Sequence, residues 1–269
     1  MDALVLMLIM GASLGVIIGL AAKFFAVRHD PRIEQVEEML PGTNCGACGF
    51  AGCADFARAL VAGEATPELC PSSSSESVHR IADFLGVEAG ARNRMVAVVR
   101  CGGDDRAAQW AAGYNGVRDC RSASLVAGGA KGCVYGCLGM GTCSRVCPFG
   151  AIEMRDGLAI VHPDICTGCR KCVAVCPRQL IIMAPADAPV HIFCNSPAKG
   201  GAKSKVCKVS CIGCRKCYKE AGEEKIRMEG FLARINYDCP PDPEIVKVCP
   251  TGCLQTAGAM AAKSESEVA

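Results

Sequence analysis

Cysteine is the residue here with the means to do chemistry: 22 of 269 positions. Cys-x2-Cys pairs fall at 45/48, 166/169, 169/172, 211/214 and 214/217, and Cys-Pro pairs at Cys70, Cys147, Cys176, Cys239 and Cys249. Two residues between cysteines let both sulfurs converge on one inorganic core. They do not suit a mutual disulfide, which needs facing Cβ atoms at a fixed separation. The pattern therefore predicts reduced thiolate ligands in a reducing compartment and argues against a secreted disulfide scaffold.

Four ligand sets follow. Cys45, Cys48, Cys53 and Cys70 run in order through "NCGACGFAGC…CP" and suit a [4Fe–4S] cube. A four-cysteine zinc knot is the competing reading, and the ferredoxin-type runs downstream favour iron. In a two-cluster ferredoxin the fourth Cys of each C-x2-C-x2-C-x3-C-P run serves the other cluster. That crossing rule puts Cys147 with Cys166, Cys169 and Cys172. The next set is Cys137, Cys143 and Cys176, with Met140 standing where a thiolate belongs. Cys133, four residues before Cys137, is the expected substitute.

The stretch "SCIGCRKCYKEAGEE" breaks the same pattern, because Ala221 and Gly222 replace the final Cys-Pro. The crossing rule nevertheless completes one set, Cys211, Cys214, Cys217 and Cys249. The other set would need Cys239 with positions 242, 245 and 221, which are Asp, Ile and Ala. All the losses fall on one cube, so this half is expected to keep one cluster and to have deleted its partner.

A duplication frames these runs. "MVAVVRC" and "APVHIFC" both read as a strand running into a cysteine, Cys101 and Cys194. Cys120-x12-Cys133-x3-Cys137 matches Cys194-x12-Cys207-x3-Cys211 in spacing. Cys101, Cys120, Cys194, Cys207, Cys239 and Cys253 stay unassigned. Inert buried thiols, alternative ligands and a fifth cluster are all open to them. Lys199, Lys203, Lys205, Lys208, Arg215, Lys216 and Lys219 crowd the second copy, either as a solvated loop or as a docking patch for an acidic electron carrier.

The elements that must hold these groups are small. A net charge of +2 gives no field that argues for nucleic acid. Aromatics make up 5% of the chain, so bound metal is expected to supply part of the folding energy. Residues 3–22 carry no charge and would span about 30 Å as a helix. Lys23, Arg28 and Arg32 follow it, which predicts a single-pass anchor in the cell's cytoplasmic membrane, with the rest on the cytoplasmic side. A signal peptide would want its positive charge first. The expected fold is α+β: an anchor at 1–28, a small α-helical 4Fe–4S module at 31–90, a two-cluster ferredoxin-like unit (βαβ-type) at 94–190, a second with one retained cluster at 191–255, and a disordered tail at 256–269. His79, on a helix ending at Gly86, reads as a solvated side chain.

With these residues in view, the chain resembles the polyferredoxin (B) subunit of the Rnf electron-transport complex. The anchor, the "NCGACGFAGC…CP" module and the phrases "GCVYGCLGMGTCSRVCPFGAI" and "SCIGCRKC" carry the likeness. The resemblance implies an electron-transfer subunit of an ion-translocating oxidoreductase complex from an anaerobe, with at least four [4Fe–4S] clusters. It implies that the chain accepts electrons from reduced soluble ferredoxin, works beside other Rnf subunits and holds no NAD site. The alternative is a catalytic iron–sulfur reductase whose Met140 cube keeps an open iron.

Overall fold

The computed structural model describes residues 2–24, 30–90 and 93–262. Helix α1 (Asp2–Phe24) presents its apolar side chains from Val5 to Leu20 to the exterior. Among the described residues no helix is long and apolar enough to cross a membrane. Arg28, part of the expected positive flank, lies outside the described residues.

Three helices build the first module. Helix α2 (Pro31–Met39) opens on Pro31, whose missing N–H costs nothing there, and the Asp30 carboxylate accepts the Arg32 amide at 2.9 Å. Helix α3 (Cys53–Val61) starts on a ligand candidate. Helix α4 (Ser75–Leu85) is capped by the Ser74 hydroxyl and stopped by Gly86 at φ 68°. The serine-rich stretch at 72–75 supplies the cap and first turn of this helix, and His79 is exposed, as expected. Val36, Phe56, Leu60 and Ile81 close the core, with Cys53 and Cys70 in the same cluster.

The remainder is one architecture used twice. In the first unit, β1 (Met95–Val99) is followed by α5 (Cys120–Leu125), α6 (Thr142–Arg145), the hairpin β2 (Ile152–Arg155) and β3 (Leu158–Val161), α7 (Lys171–Val175) and β4 (Ile181–Pro185). The second runs β5 (Val190–Ile192), α8 (Gly200–Val206), α9 (Lys216–Ala221), hairpin β6 (Ile226–Glu229) and β7 (Leu232–Ile235), a 3-10 turn (Pro243–Val248) and β8 (Leu254–Thr256). First and last strands pair antiparallel in each unit, Val99 opposite Ile181 and Ile192 opposite Leu254. All four sheets among the described residues are two-stranded and antiparallel. The units keep the ferredoxin-like order of strand, helix and hairpin without a parallel βαβ crossover, since each chain closes back on its own first strand.

The duplication holds in detail. Arg100 N–H donates to Leu180 O at 2.9 Å, and its counterpart Phe193 N–H donates to Cys253 O at 2.8 Å. The two units meet where Gly102 N–H donates to Phe193 O at 3.0 Å. Cys101 thus corresponds to Cys194, at the same place beyond the first strand. The matched spacing of Cys120 and Cys194 does not reflect equivalent positions, because the first unit carries an insertion between Cys101 and Cys133 that the second lacks.

The expected disordered tail needs correcting. Residue 256 ends β8, and α10 (Ala259–Ala262) sets Met260 against the first unit's core, where Arg155 donates to Met260 O at 3.2 Å. Residues 263–269 lie outside the described residues.

Candidate iron–sulfur centres

All 22 cysteines are free thiols, and most face small cavities in sets of four. In the helical module Cys48, Cys53 and Cys70 pack on one core, and Cys48 feels the charges of Cys70 and Cys45. Asn44 fixes the loop by accepting the Cys53 amide at 2.7 Å.

A second cavity, of about 320 Å³, is lined by Cys147, Cys166, Cys169 and Cys172, the set the crossing rule assembles. The Ala97 amide points at Cys166 Sγ from 3.4 Å. Burial pushes the Cys172 thiol up to about 12, with Cys166, Cys169 and Cys147 adding to the rise. A thiol this reluctant to ionise becomes a thiolate only against a metal, and four of them crowded together fit a shared cationic core.

The third cavity, of about 370 Å³, corrects a sequence-based expectation. It gathers Cys137, Cys143 and Cys176 with Cys120, not with Cys133. Asp119 caps α5 and its carboxylate accepts the Thr142 hydroxyl at 3.0 Å; the Cys120 amide donates to that same hydroxyl at 2.8 Å. Thr142 neighbours Cys143, so this relay pins Cys120 beside the set. Burial raises the Cys143 thiol to about 12, with Cys137 and Cys120 nearby. Met140 is half-buried, and its carbonyl accepts from Arg145 at 2.9 Å. A fourth thiol, Cys120, therefore lines this cavity. The usable signal in the sequence was compensation: the copy that lacks a cysteine at 140 carries one extra in its insertion.

Cys133 turns the other way, into a cavity shared with Cys101, Cys194 and Cys207.

A further cavity, of about 390 Å³, holds Cys211, Cys214, Cys217 and Cys249. Gly213 turns the chain between the first two at φ 70°. A Cβ there would lie 2.8 Å from Phe231 O, and Gly139 makes the equivalent approach to Gly157 O. Cys253 also lines this cavity. Its sulfur is within hydrogen-bonding reach of both Cys211 and Cys249, and this contact lowers them to about 5 and about 4. Where the partner cube's ligands would stand, Ile245 is buried and packs with Ala221 in the second unit's apolar core. Cys239 is exposed. Hydrocarbon thus occupies the place of the deleted centre.

The residues fit cubes better than single ions. Thiolates on one zinc ion sit about 3.8 Å apart, given a Zn–S bond of about 2.3 Å and tetrahedral angles. Among the described residues no group of three or more His, Cys, Asp or Glu converges tightly enough for one ion. Each cubane iron takes one thiolate, so the sulfurs stand further apart around a cavity.

The first three sets are neighbours. Cys169 of the second set feels Cys45 of the first, and Ser72, beside Cys45, donates to Thr167 at 3.4 Å. Cys172 likewise lies near Cys143 of the third set. The basic residues Lys199, Lys205, Lys208, Arg215, Lys216 and Lys219 of the second unit are all exposed. Lys203 is the exception, a correction to the patch: it is buried at 1% exposure.

Two family models match the chain: an Fe–S cluster family over residues 40–72 and the 4Fe–4S dicluster domain over residues 133–182. Among curated relatives, the B subunit of a Na⁺-translocating ferredoxin:NAD⁺ oxidoreductase complex from Acetobacterium woodii is 40% identical, covering 91% of this chain and 74% of the relative. The B subunit of an ion-translocating oxidoreductase complex from Methanosarcina acetivorans is 37% identical over 91% and 94%. The B subunit of a proton-translocating ferredoxin:NAD⁺ oxidoreductase complex from Clostridium ljungdahlii is 41% identical over 94% and 90%.

Proposed function

Because this chain belongs to the B-subunit family of ion-translocating (Rnf) oxidoreductase complexes and is an iron–sulfur electron-transfer subunit, we propose that it is the complex's membrane-tethered wire for electrons from reduced ferredoxin. Bound cubes supply one-electron redox chemistry. The ligand sets in this reading are Cys45/48/53/70, Cys147/166/169/172, Cys120/137/143/176 and Cys211/214/217/249. The protein's own part is to hold them in line, aim amides at sulfur and keep water away. The gathering of thiols in sets of four carries the reading. NAD is handled on another subunit.

Entry is at the second unit. Cys214 is exposed beside α9, where the exposed Arg215, Lys216 and Lys219 would draw in an acidic carrier. Exit is towards the helical module and α1, which anchors the chain with the cysteine-bearing units on the cytoplasmic side. The support for the anchor is an apolar helix whose described large side chains are exposed, surface that water tolerates poorly. Stopped-flow reduction of the anaerobic protein by reduced ferredoxin tests the entry point. The rate should fall as salt rises, and Lys216→Glu with Lys219→Glu should lower it about tenfold or more at low salt. A rate indifferent to both would move the entry elsewhere.

A further inference from the structure

We propose that a fifth [4Fe–4S] cube sits at the seam of the two units, bound by Cys101 and Cys133 from the first and by Cys194 and Cys207 from the second. This rests on the iron–sulfur reading above and extends it to thiols that the crossing rule leaves over.

The four cysteines line one cavity, as the cysteines of the ferredoxin-type sets line theirs. Its wall is thinned where the sulfurs face inward: a Cβ on Gly136 would lie 3.5 Å from both Cys101 Sγ and Cys133 Sγ, and one on Gly103 would lie 3.3 Å from Cys207 Sγ. Each unit contributes the same two positions, the cysteine beyond its first strand and the cysteine four residues before its first ferredoxin-type ligand. The site is thus built by the duplication and exists only where both copies meet.

Charge points the same way. Two lysines line the cavity, Lys131 at 4% exposure and Lys203 at 1%. They occupy matching places. Lys131 Nζ donates to Gly103 O at 3.0 Å and Gly157 O at 2.8 Å; Lys203 Nζ donates to Ser196 O at 3.1 Å and Phe231 O at 2.8 Å. Gly103 and Ser196 each stand two residues past the strand-end cysteine, and Gly157 and Phe231 each sit in a hairpin turn. Lys131 has Asp105 at 3.2 Å as counterion. Lys203 has no carboxylate partner among the described residues, and a buried ammonium without one is costly. A cube with four thiolates is a net anion, and it would neutralise both lysines from inside the cavity. Its assembly replaces four S–H bonds by four Fe–S bonds and releases four protons.

The position also completes the line. Cys137, a ligand of the third set, donates its amide to Cys101 Sγ at 3.3 Å. On the other side the amide of Cys211 hydrogen-bonds to Cys194. Without a centre here the second unit's cube is separated from the rest; with one, five cubes run from the lysine-rich end to the helical module.

The test uses the full chain, purified without oxygen, with iron, sulfide and zinc counted and reduction followed by electron paramagnetic resonance. Wild type should hold about twenty irons at four per cube, and Cys194→Ser with Cys207→Ser about sixteen, with one signal lost. Lys203→Met should keep all its iron and shift one reduction wave to more negative potential. A merely structural lysine would leave every wave in place. About sixteen irons in wild type, unchanged in the double variant, would overturn the fifth cube and leave the four-cube reading standing. One zinc lost in the double variant would also overturn it. Well under sixteen irons in wild type would defeat the four-cube reading itself.

Discussion

The amide of Cys120 donates to the Thr142 hydroxyl at 2.8 Å. This one bond ties an insertion to the ferredoxin run it repairs, because Thr142 stands beside Cys143 and Asp119 holds the same hydroxyl from the other side.

That tie makes the repair separable. Cys120→Ser should remove about four irons per chain, the content of one cube. Adding Met140→Cys to that variant should restore them, since position 140 corresponds to Cys214, which faces its own set directly. Iron and sulfide analysis reads the result. A Cys120→Ser protein with its iron intact would show that another thiol serves the third centre.

Gly213 is strained for any other residue. At φ 70°, with Phe231 O at 2.8 Å from a Cβ, Gly213→Ala should cost about 1–3 kcal/mol and release the second unit's cube before the others. Thermal bleaching followed in visible light measures it. Unchanged bleaching would mean that the turn has room the geometry does not suggest.

His191 gives the second unit an acid limit. Burial lowers its pKa to about 4 from an ordinary 6.5, while its Nδ1 lies 3.0 Å from the Tyr237 hydroxyl. The unfolded chain then binds a proton that the folded one refuses. Stability is full above pH 6.5 and is lost as pH falls towards 4, at about 1 kcal/mol per pH unit. Denaturant unfolding at pH 7.5 and 5.5, wild type against His191→Phe, checks this. The variant should lose part of the pH dependence, and an identical slope in both proteins would refute the assignment.

Removal of residues 1–28 should yield a brown protein that stays in solution without detergent, whereas the full chain should partition with lipid vesicles. The helical core from Val36 to Ile81 closes without α1. Sedimentation with vesicles distinguishes the two. Binding that survives the truncation would place membrane attachment elsewhere.

Much of this was legible in the sequence because ligand spacing is a local quantity. Cys-x2-Cys runs fix which sulfurs face one cavity, and the crossing of Cys147 and Cys249 follows from the ferredoxin pattern. The helix signals at Pro31 and Gly86 are local too. What misled was spacing that crosses an insertion. Cys120-x12-Cys133 equals Cys194-x12-Cys207 in number, yet the chain between Cys101 and Cys133 loops out and returns, so the true partners are Cys101 and Cys194. Lys203 was hidden for a similar reason: a run of lysines looks uniformly solvated, and burial of one depends on carbonyls at Ser196 and Phe231 that only the folded chain brings near. Residues 259–262 looked like part of a tail because their short helix is held by Arg155, over a hundred residues away in the chain.

The most direct measurement is Mössbauer spectroscopy of iron-57-enriched full-length protein, kept free of oxygen throughout, with total iron counted on the same sample. The account predicts that all the iron gives cubane spectra and amounts to at least about sixteen atoms per chain, at four per cube. Iron-free protein, zinc in its place, or thiols joined in pairs would contradict it.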